Sequence, residues 1–376
     1  RMRLRRAARV LRAAHTSAQQ LAAPQPAHTP HPPAALPAPP PDSARPPSPW
    51  ASWIGATVND LADRRLLRSL RAVEPVEGRP NHVRLSQWSD SGARPAASAA
   101  VLTVFAANDY LGLSTHPHVR QAAAAAAAAH GCGPRSSALV CGYTDAHARL
   151  EASLATLKQS EAAFLFPSGF AANTAVLGAL ASSPSCAIFS DALNHASIVD
   201  GARLAAKGAG AQLHIYRHRD LRHLSSLLSA SAAPRKLIVS DSLFSMDGDE
   251  ADVLGLVELK EQHGALLVLD EAHATLAYGP TGGGVAEAHG VAARVDVHTG
   301  NLSKAFGAHG GFVGCSEQVQ RLLISTGRPG IYSTALPAPA VAAAAAALTL
   351  ATPQLRAALR RNVHAFRHAI GQPADT

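Results

Sequence analysis

Lysine is scarce in this sequence, and patterns that would define several other kinds of protein are missing. Only five of the 34 basic residues are lysine, and charged residues make up 16% of the 376 positions. No apolar run reaches the length of a membrane span, so we expect no membrane partner. No GKS or GKT follows a glycine-rich loop, which excludes the P-loop nucleotide-binding proteins.

Cysteine and histidine show none of the common metal-binding spacings. The four cysteines, Cys132, Cys141, Cys186 and Cys315, form no CxxC pair, and the 19 histidines form no HExxH motif. We therefore expect no metal site. Cysteines whose spacing indicates no disulfide framework favour a reduced intracellular protein.

Acidic residues are absent from positions 1–41, where arginine is frequent. The net charge of +8 is therefore largely a property of this leader, and it indicates no nucleic-acid groove or nucleic-acid partner. The composition of residues 1–23 is typical of a transit peptide for a mitochondrion or plastid. A disordered basic tail is the alternative, with a cytosolic or peroxisomal location left open.

Proline occupies twelve of the 26 positions from Pro24 to Pro49, which indicates a linker rather than a packed element. We therefore predict a disordered leader over residues 1–49 and an N-terminal helix and arm over 50–100. Within that arm, apolar periodicity predicts a helix over residues 56–71 that ends at Arg71.

Short apolar runs then alternate with helical patterns, and this alternation predicts the fold. A strand is predicted at Val101–Phe105, and helices at Ala122–Ala129 and Asp145–Lys158. Seven further strands are predicted at Ala163–Phe166, Ala187–Phe189, Leu213–Tyr216, Leu237–Ser240, Leu266–Leu269, Val295–Val297 and Phe312–Cys315. The pattern predicts an α/β fold with a mainly parallel seven-stranded sheet and helices on both faces. Ligands of such folds bind beyond the carboxyl ends of the strands.

Lys304 is the lysine whose surroundings differ from those of a solvated side chain. Small residues flank it, including Ser303 and Gly307, whereas Lys158 and Lys260 lie on amphipathic stretches as surface lysines do. A poorly solvated lysine has a lowered pKa and can act as a nucleophile. The hypothesis is a Schiff-base lysine for pyridoxal 5′-phosphate (PLP), and the alternative is a lysine that extends to solvent from a glycine-rich loop.

Two polar segments follow predicted strands upstream of Lys304. Ser168-Gly169 comes after the first strand and opens a helix whose free N–H groups suit a phosphate, although an ordinary N-cap by Ser168 also explains it. His195 follows the next strand and could stack on a flat ring, or serve a structural role.

Two more polar segments follow later strands. Ser245 lies in a turn where it could donate to a phenolate oxygen, and turn chemistry alone is the alternative. Asp270 ends an apolar strand, with His273 three residues on. A buried aspartate can keep a pyridinium nitrogen protonated. The same letters occur in DEAH-box helicases, which the missing phosphate loop excludes.

Taken together, these segments resemble the α-oxoamine synthases, PLP enzymes of aminotransferase fold type I. The matching motifs are NDYLGL (108–113), CGYT (141–144), SGFAAN (168–173), DALNHASI (191–198), DSLFSMDGD (241–249), DEAH (270–273), LSKAFG (302–307) and IYSTALP (331–337). The resemblance runs from about Trp50 to near the end of the sequence. It implies a PLP-binding large domain over residues 101–335.

The resemblance assigns roles residue by residue. It implies that Lys304 binds PLP covalently and acts with His195 and Asp270 in catalysis. It implies cofactor contacts from Gly169, Phe170, Ser245, Asp270, His273, Asn301, Lys304 and Thr334, with Ser333 and Thr334 reaching a partner subunit's phosphate across a homodimer. It implies substrate contacts from Arg71, Asn108 and His195.

The implied reaction is a decarboxylative condensation of an amino acid with an acyl thioester. FSMDGD, CGYT and LNHAS favour the branch that joins L-alanine to pimeloyl-CoA, or to a pimeloyl carrier-protein thioester, in biotin biosynthesis. A sister enzyme that uses glycine, such as a glycine C-acetyltransferase or a 5-aminolevulinate synthase, is an alternative. A non-catalytic relic of the PLP fold is another.

Three positions or segments depart from the family pattern. Asn301 stands where the family usually has a phosphate-binding threonine, and Thr299 or Ser303 could compensate. Glu271 replaces a second aspartate, which we expect to be tolerated because that residue does not pair with the pyridine. The resemblance also implies a small C-terminal domain, of which residues 336–376 would be the start and the rest would be missing.

Overall fold

The computed structural model describes residues 48–70, 72–85 and 100–371, which fall into two compact units divided after Leu70. Residues 1–47, which make up nearly all of the predicted leader, lie outside the described residues, and so does Arg71. The predicted transit peptide and the predicted substrate contact of Arg71 both stay predictions.

The described residues of the first unit form one helix, α1 (Pro49–Asp63). Ser48 caps its first turn by accepting a hydrogen bond from the N–H of Ala51, and Pro49 fits the first helical position. The predicted helix over 56–71 is wrong at both ends, since the helix starts earlier and stops at Asp63. It stops there because Arg65 takes a left-handed conformation with φ of 56°, which the α-helix cannot continue.

The second unit begins with a small antiparallel sheet of three strands in sequence order. Its strands are β1 (Val73–Val76), β2 (Arg79–Leu85) and β3 (Val101–Thr103). The strand predicted at Val101–Phe105 is present as β3, and it ends two residues early.

The main sheet has seven strands in the order β4-β10-β9-β8-β7-β5-β6. These strands are β4 (Ala162–Phe166), β5 (Cys186–Asp191), β6 (Gln212–Tyr216), β7 (Arg235–Asp241), β8 (Leu266–Asp270), β9 (Val297–Asn301) and β10 (Gly311–Cys315). Only β10 runs antiparallel to its neighbours, so the mainly parallel seven-stranded sheet is confirmed.

Helices connect these strands and cover the sheet. They are α2 (Pro117–His130), α3 (Asp145–Lys158), α4 (Gly169–Leu180), α5 (Ala196–Ala209), α6 (Leu221–Ala230), α7 (Val253–Gln262), α8 (Val285–Ala288), α9 (Glu317–Thr326), α10 (Arg328–Ile331), α11 (Ala338–Leu350) and α12 (Pro353–Ala369). The described residues also form a π-helical turn at Ala138–Gly142 and a 3-10 turn at Ala292–Arg294.

Alternate residues of the central strands pack into cores on opposite faces of the sheet. Leu237 and Val239 contribute to one core, with α4 and α5, whereas Ile238 between them contributes to another, with α6 and α7. A third core lies where α2, α3 and α11 cover the β4 end of the sheet. Helices on both faces are therefore confirmed.

One lysine predicted to be solvated is buried instead. Lys158, at the end of α3, is fully buried, with its ammonium group 2.8 Å from the carboxylate of Glu271. The prediction that Lys158 is a surface lysine is wrong, because its partner lies 113 positions away in the sequence.

The described residues contain no single helix long and apolar enough to cross a membrane, although α11 and α12, bent by 82°, pass by length and composition as a pair. No group of three or more His, Cys, Asp or Glu side chains that could hold a metal occurs among the described residues.

Candidate active site

The carboxyl ends of the parallel strands meet at one edge of the sheet, where a cleft of about 240 Å³ opens. The residues that line it come from segments separated by nearly 200 positions. They are Asn108, Ser168, Gly169, Phe170, Asn173, His195, Ser197, Asp241, Asp270, Ala272, His273, Asn301, Ser303 and Lys304. Eight residues predicted for catalysis or binding therefore lie together: Asn108, Gly169, Phe170, His195, Asp270, His273, Asn301 and Lys304.

Asp270 is held in the cleft by two donors. Its Oδ2 accepts a hydrogen bond of 2.6 Å from Nδ2 of Asn173, and its Oδ1 accepts one of 2.8 Å from the N–H of Ala272. Asn173 is fixed in turn, because its Oδ1 accepts the hydroxyl of Thr299 at 2.8 Å. The carboxylate is thus oriented before any ligand arrives.

A second buried carboxylate stands beside the first. Asp241 ends β7 and is the register partner of Asp270 at the end of β8. Burial and the neighbouring Asp270 raise the pKa of Asp241 well above its ordinary value. The Oδ2 of Asp241 accepts the backbone N–H of His195 at 2.7 Å, so it fixes the loop that carries this histidine.

Lys304, His273 and Tyr110 form a chain of hydrogen bonds. Nζ of Lys304 lies 3.0 Å from Nε2 of His273, and Nδ1 of His273 lies 2.6 Å from the Tyr110 hydroxyl. Burial, and then the charge of Lys304, lower the pKa of His273 to about 4. Neutral His273 therefore accepts a hydrogen bond from Lys304 at Nε2 and donates one from Nδ1 to the Tyr110 hydroxyl.

Burial also lowers the pKa of Lys304, while Asp270 and Asp241 oppose that shift. The Lys304 ammonium group therefore loses its proton more easily than that of a solvated lysine, as the nucleophile hypothesis requires. The alternative of a lysine extending to solvent does not fit a side chain that lines the cleft and pairs with His273.

His195 caps the amino end of α5 and lines the cleft. Its Nδ1 accepts the N–H of Ser197 at 3.2 Å and lies 2.7 Å from the hydroxyl of the same serine. Since Nδ1 accepts, the proton of the neutral ring resides on Nε2. The ring is an oriented donor, and its predicted stacking on a cofactor stays a prediction.

The other end of the cleft has the donors that a phosphate requires. Gly169 and Phe170 begin α4, where N–H groups have no acceptor within the helix. The hydroxyl of Ser168 caps the helix by accepting the N–H of Ala171 at 3.1 Å. Capping and anion binding therefore use different N–H groups and do not exclude each other. A methyl group added to Gly169 would come within 3.3 Å of Asn301 Nδ2, which places this amide at the same end.

Asn301 retains a donor that the missing threonine would have supplied. Its Oδ1 accepts the N–H and hydroxyl of Ser303 at 2.7 and 2.6 Å, which turns its Nδ2 toward Gly169. Thr299 donates to Asn173 instead, so it does not take the role considered for it. Asn301 with Ser303 is the pair available to compensate.

Two predicted residues lie outside this cleft. Ser245 is exposed and lines a neighbouring cavity of about 230 Å³, which shares His273 with the cleft. Thr334 lies in the loop between α10 and α11 and does not line the cleft of its own chain. The predicted contacts of Ser245 with the ring hydroxyl and of Thr334 with a partner's phosphate stay predictions.

Asn173, Tyr110 and Asp241 were not predicted from the sequence as site residues. All three occur within motifs already singled out, SGFAAN, NDYLGL and DSLFSMDGD. Asp241 could have been found from its position, because it ends an apolar strand as Asp270 does. The hydrogen bonds of Asn173 and Tyr110 join distant segments and left no such signal.

Known proteins are similar to this chain in sequence and in architecture. A family model described as aminotransferase class I and II matches residues 100–374. An 8-amino-7-oxononanoate synthase of Arabidopsis thaliana is 48% identical, covering 86% of this chain and 80% of its own length. A solved serine palmitoyltransferase of Sphingomonas wittichii is 27% identical, with a TM-score of 0.75, and the match covers 86% of this chain and 77% of that one.

A second solved structure, of SPT with the PLP internal aldimine, has a TM-score of 0.73 at 27% identity. That match covers 85% of this chain and 77% of the solved one. A solved protein of similar architecture therefore holds PLP as an internal aldimine.

Proposed function

The chain belongs to the class I and II aminotransferase family and, within it, to the 8-amino-7-oxononanoate synthase family, and we propose that it condenses L-alanine with a pimeloyl thioester. The products are 8-amino-7-oxononanoate, carbon dioxide and a free thiol, which is CoA or a carrier protein. The observation that carries the proposal is the meeting of Lys304, His273 and Asp270 in one cleft of a chain 48% identical to such a synthase.

The cleft fits PLP by the chemistry of its donors. The N–H groups of Gly169 and Phe170 and the amide of Asn301 would hold the phosphate, and Asp270 would hold the ring nitrogen. Lys304 would hold the aldehyde carbon. When bound, PLP supplies a ring that takes up the electron pair left as the α-proton of alanine is removed.

Lys304 has the environment of a proton carrier. Once the amino group of alanine takes its place on the aldehyde carbon, the amine of Lys304 would be free, and its lowered pKa favours the unprotonated form that can take the α-proton of the substrate. Nε2 of neutral His273, 3.0 Å away, accepts the N–H of Lys304 and keeps the amine directed into the cleft. The same amine returns a proton after decarboxylation.

Asp270 and His195 perform the orienting work. Asn173 and Ala272 fix both oxygens of Asp270, so the carboxylate can meet a ring nitrogen without rearranging. Asp241 and Ser197 fix the backbone and ring of His195, whose Nε2–H would donate to the substrate.

The proposal also includes a homodimer with shared active sites. Its support is the placement of Thr334 outside the cleft of its own chain, as a contribution to a partner's phosphate requires. Mixing Thr334→Ala with Lys304→Ala subunits would test it, because a shared site regains one intact copy in the mixed dimer. Activity no greater than that of the separate variants would contradict sharing.

The reaction is tested by offering alanine and glycine in turn with pimeloyl, acetyl and succinyl thioesters. We expect product only from alanine with the pimeloyl thioester, and none from Lys304→Ala protein. Turnover confined to glycine would move the chain to the sister activity. Absence of every product, with PLP bound, would identify the chain as a relic of the fold.

A further inference from the structure

Three buried ionisable side chains form a closed cluster on the far side of Asp270 from the cleft. Lys158, Glu271 and His298 are each completely buried, and they lie at the end of α3, directly after β8 and at the second position of β9. None of the three lines the cleft. A cluster of this kind in a protein interior is retained only when every charge has a partner.

The cluster is saturated with hydrogen bonds. Nζ of Lys158 donates to Oε2 of Glu271 at 2.8 Å, to the hydroxyl of Thr275 at 2.8 Å and to the carbonyl of Gly283 at 2.6 Å. Glu271 also accepts from Nδ1 of His298 at 2.9 Å and from the N–H of Ala286 at 3.0 Å.

The charges of the cluster follow from its partners. Burial by itself would raise the pKa of Glu271, but the charge of Lys158 and the hydrogen bond from His298 lower it to about 2. Nε2 of His298 faces the carbonyl of Ala292 at 3.0 Å, so both ring nitrogens face oxygens that only accept.

The main chain also makes room for this carboxylate. Gly284 has φ of 115°, and a methyl group there would collide with the carboxylate of Glu271. A left-handed glycine and a fully partnered glutamate at one point indicate a site built for a side chain of this length.

The cluster is connected to the cleft by two peptide bonds, Asp270–Glu271 at the end of β8 and His298–Thr299 in β9. Asp270 and Thr299 are register partners on β8 and β9, and Glu271 and His298 are their neighbours in the chain. Successive side chains of a strand point to opposite faces, so Thr299 points to Asn173 while His298 points to Glu271. The N–H of Glu271 donates to the carbonyl of Thr299 at 2.9 Å, which joins the two strands at this level.

We propose that Lys158, Glu271 and His298 are positioning residues. They hold the end of β8 against β9 on the side away from the cleft, and thereby fix the Asp270 carboxylate toward the cofactor. The inference rests on the proposed function for its cofactor, and it assigns Glu271 a role beyond that of a tolerated replacement. Movement of Glu271 would move the peptide of Asp270 and the Thr299–Asn173 contact that orients its Oδ2.

The test compares four variants: Lys158→Met, Glu271→Gln, Glu271→Asp, and the double variant Lys158→Met/Glu271→Gln. The readouts are the melting temperature without PLP, the Kd for PLP, and the pH midpoint of the visible absorption of the bound cofactor. The matched control is Lys260→Met/Asp296→Asn, which removes a partly buried pair that joins α7 to the start of β9, away from the cleft.

We expect Lys158→Met and Glu271→Gln to lower the melting temperature, because each removes one partner of the buried Lys158–Glu271 ion pair. The double variant should recover most of that loss, yet bind PLP at least tenfold more weakly than wild type with a displaced pH midpoint. Glu271→Asp keeps the charge but is one methylene shorter, so it should show the same cofactor defect. The control should change the melting temperature alone.

A double variant with wild-type PLP affinity and pH midpoint would overturn the proposal and leave the cluster a structural element only. Wild-type cofactor behaviour in Glu271→Asp would do the same. If wild-type protein binds PLP but forms no product, the proposed reaction fails while these comparisons still decide the role of the cluster. Wild-type protein that binds no PLP would overturn both.

Discussion

Asn173 donates from Nδ2 to Oδ2 of Asp270 across 2.6 Å, and this contact joins the first turns of α4 to the end of β8. It couples the element that begins at the phosphate end of the cleft to the carboxylate at the ring end. One helix therefore serves both ends of the cofactor site.

Replacing Asn173 by alanine removes this donor and leaves Asp270 with Ala272 as its other protein donor. Because the carboxylate is then less well oriented, we expect PLP to bind about tenfold more weakly, a loss of roughly 1.4 kcal/mol, as for one hydrogen bond to a charged group. Spectrophotometric titration of the variant measures this. Thr174→Ala, one position along α4, is the control, and equal affinities of both variants would contradict the role.

Asn301→Ala should weaken the binding of PLP without affecting pyridoxal, which lacks the phosphate. The Nδ2 of Asn301 is turned toward Gly169, where the phosphate would lie, so its loss removes one donor to that group alone. We expect a roughly tenfold rise in the Kd of PLP and an unchanged Kd of pyridoxal. Asn301→Thr should restore phosphate affinity. A parallel loss for both ligands would show that Asn301 acts elsewhere.

His273 should not titrate between pH 5.5 and 8.5. Burial, followed by the charge of Lys304, lowers its pKa from 6.5 to about 4, so the ring is neutral throughout that range. Because the unfolded chain binds the proton more readily, this group adds stability as pH rises from about 4 to 6.5. Nitrogen NMR of the imidazoles, assigned with His273→Gln, measures the pKa. A midpoint near 6.5 would contradict the buried pairing with Lys304.

Glu151 should make the fold less stable as pH rises. Burial raises the pKa of this carboxyl to about 7 from 4.5, against the opposing hydrogen bonds from Tyr143 and Leu165. The folded state then holds a proton that the unfolded state releases, so stability is full below about 4.5 and declines as pH rises to about 7. The decline attributable to Glu151 is roughly 3 kcal/mol.

Glu151→Gln removes this titration and should flatten the dependence of melting temperature on pH between 4.5 and 7. Asp145→Asn, which affects an exposed carboxylate on the same helix, should leave the slope unchanged. Identical slopes for Glu151→Gln and wild type would show that Glu151 is ionised in the folded protein.

Local patterns predicted much of this fold because its strands are apolar and its helices are amphipathic. Helix α3 spans Asp145–Lys158 as predicted, because its capping residue and its apolar spacing are both local to that segment. Strand β9 was misplaced to Val295–Val297 because the residues that form it, from Val297 to Asn301, are mostly polar or small. Their strand conformation is imposed by pairing with β8 and β10.

Residues that line the cleft were predicted where one residue type in a distinctive local setting indicates one chemistry, as with Asp270 and Lys304. It was missed where the role depends on a distant partner. The burial of Lys158 depends on Glu271, and the role of Asn173 depends on Asp270, and neither pairing has a local signature. Helix α1 was extended too far because leucine spacing continues past the left-handed Arg65.

The central claim is that Lys304 holds the cofactor. Treating PLP-loaded protein with borohydride makes the attachment permanent, and mass spectrometry of its peptides then locates the pyridoxyl group. We predict the group on Lys304 alone, with none on Lys158, Lys207, Lys236 or Lys260, and none anywhere in Lys304→Ala protein. A pyridoxyl group on one of those other lysines, or on no residue, would contradict the account.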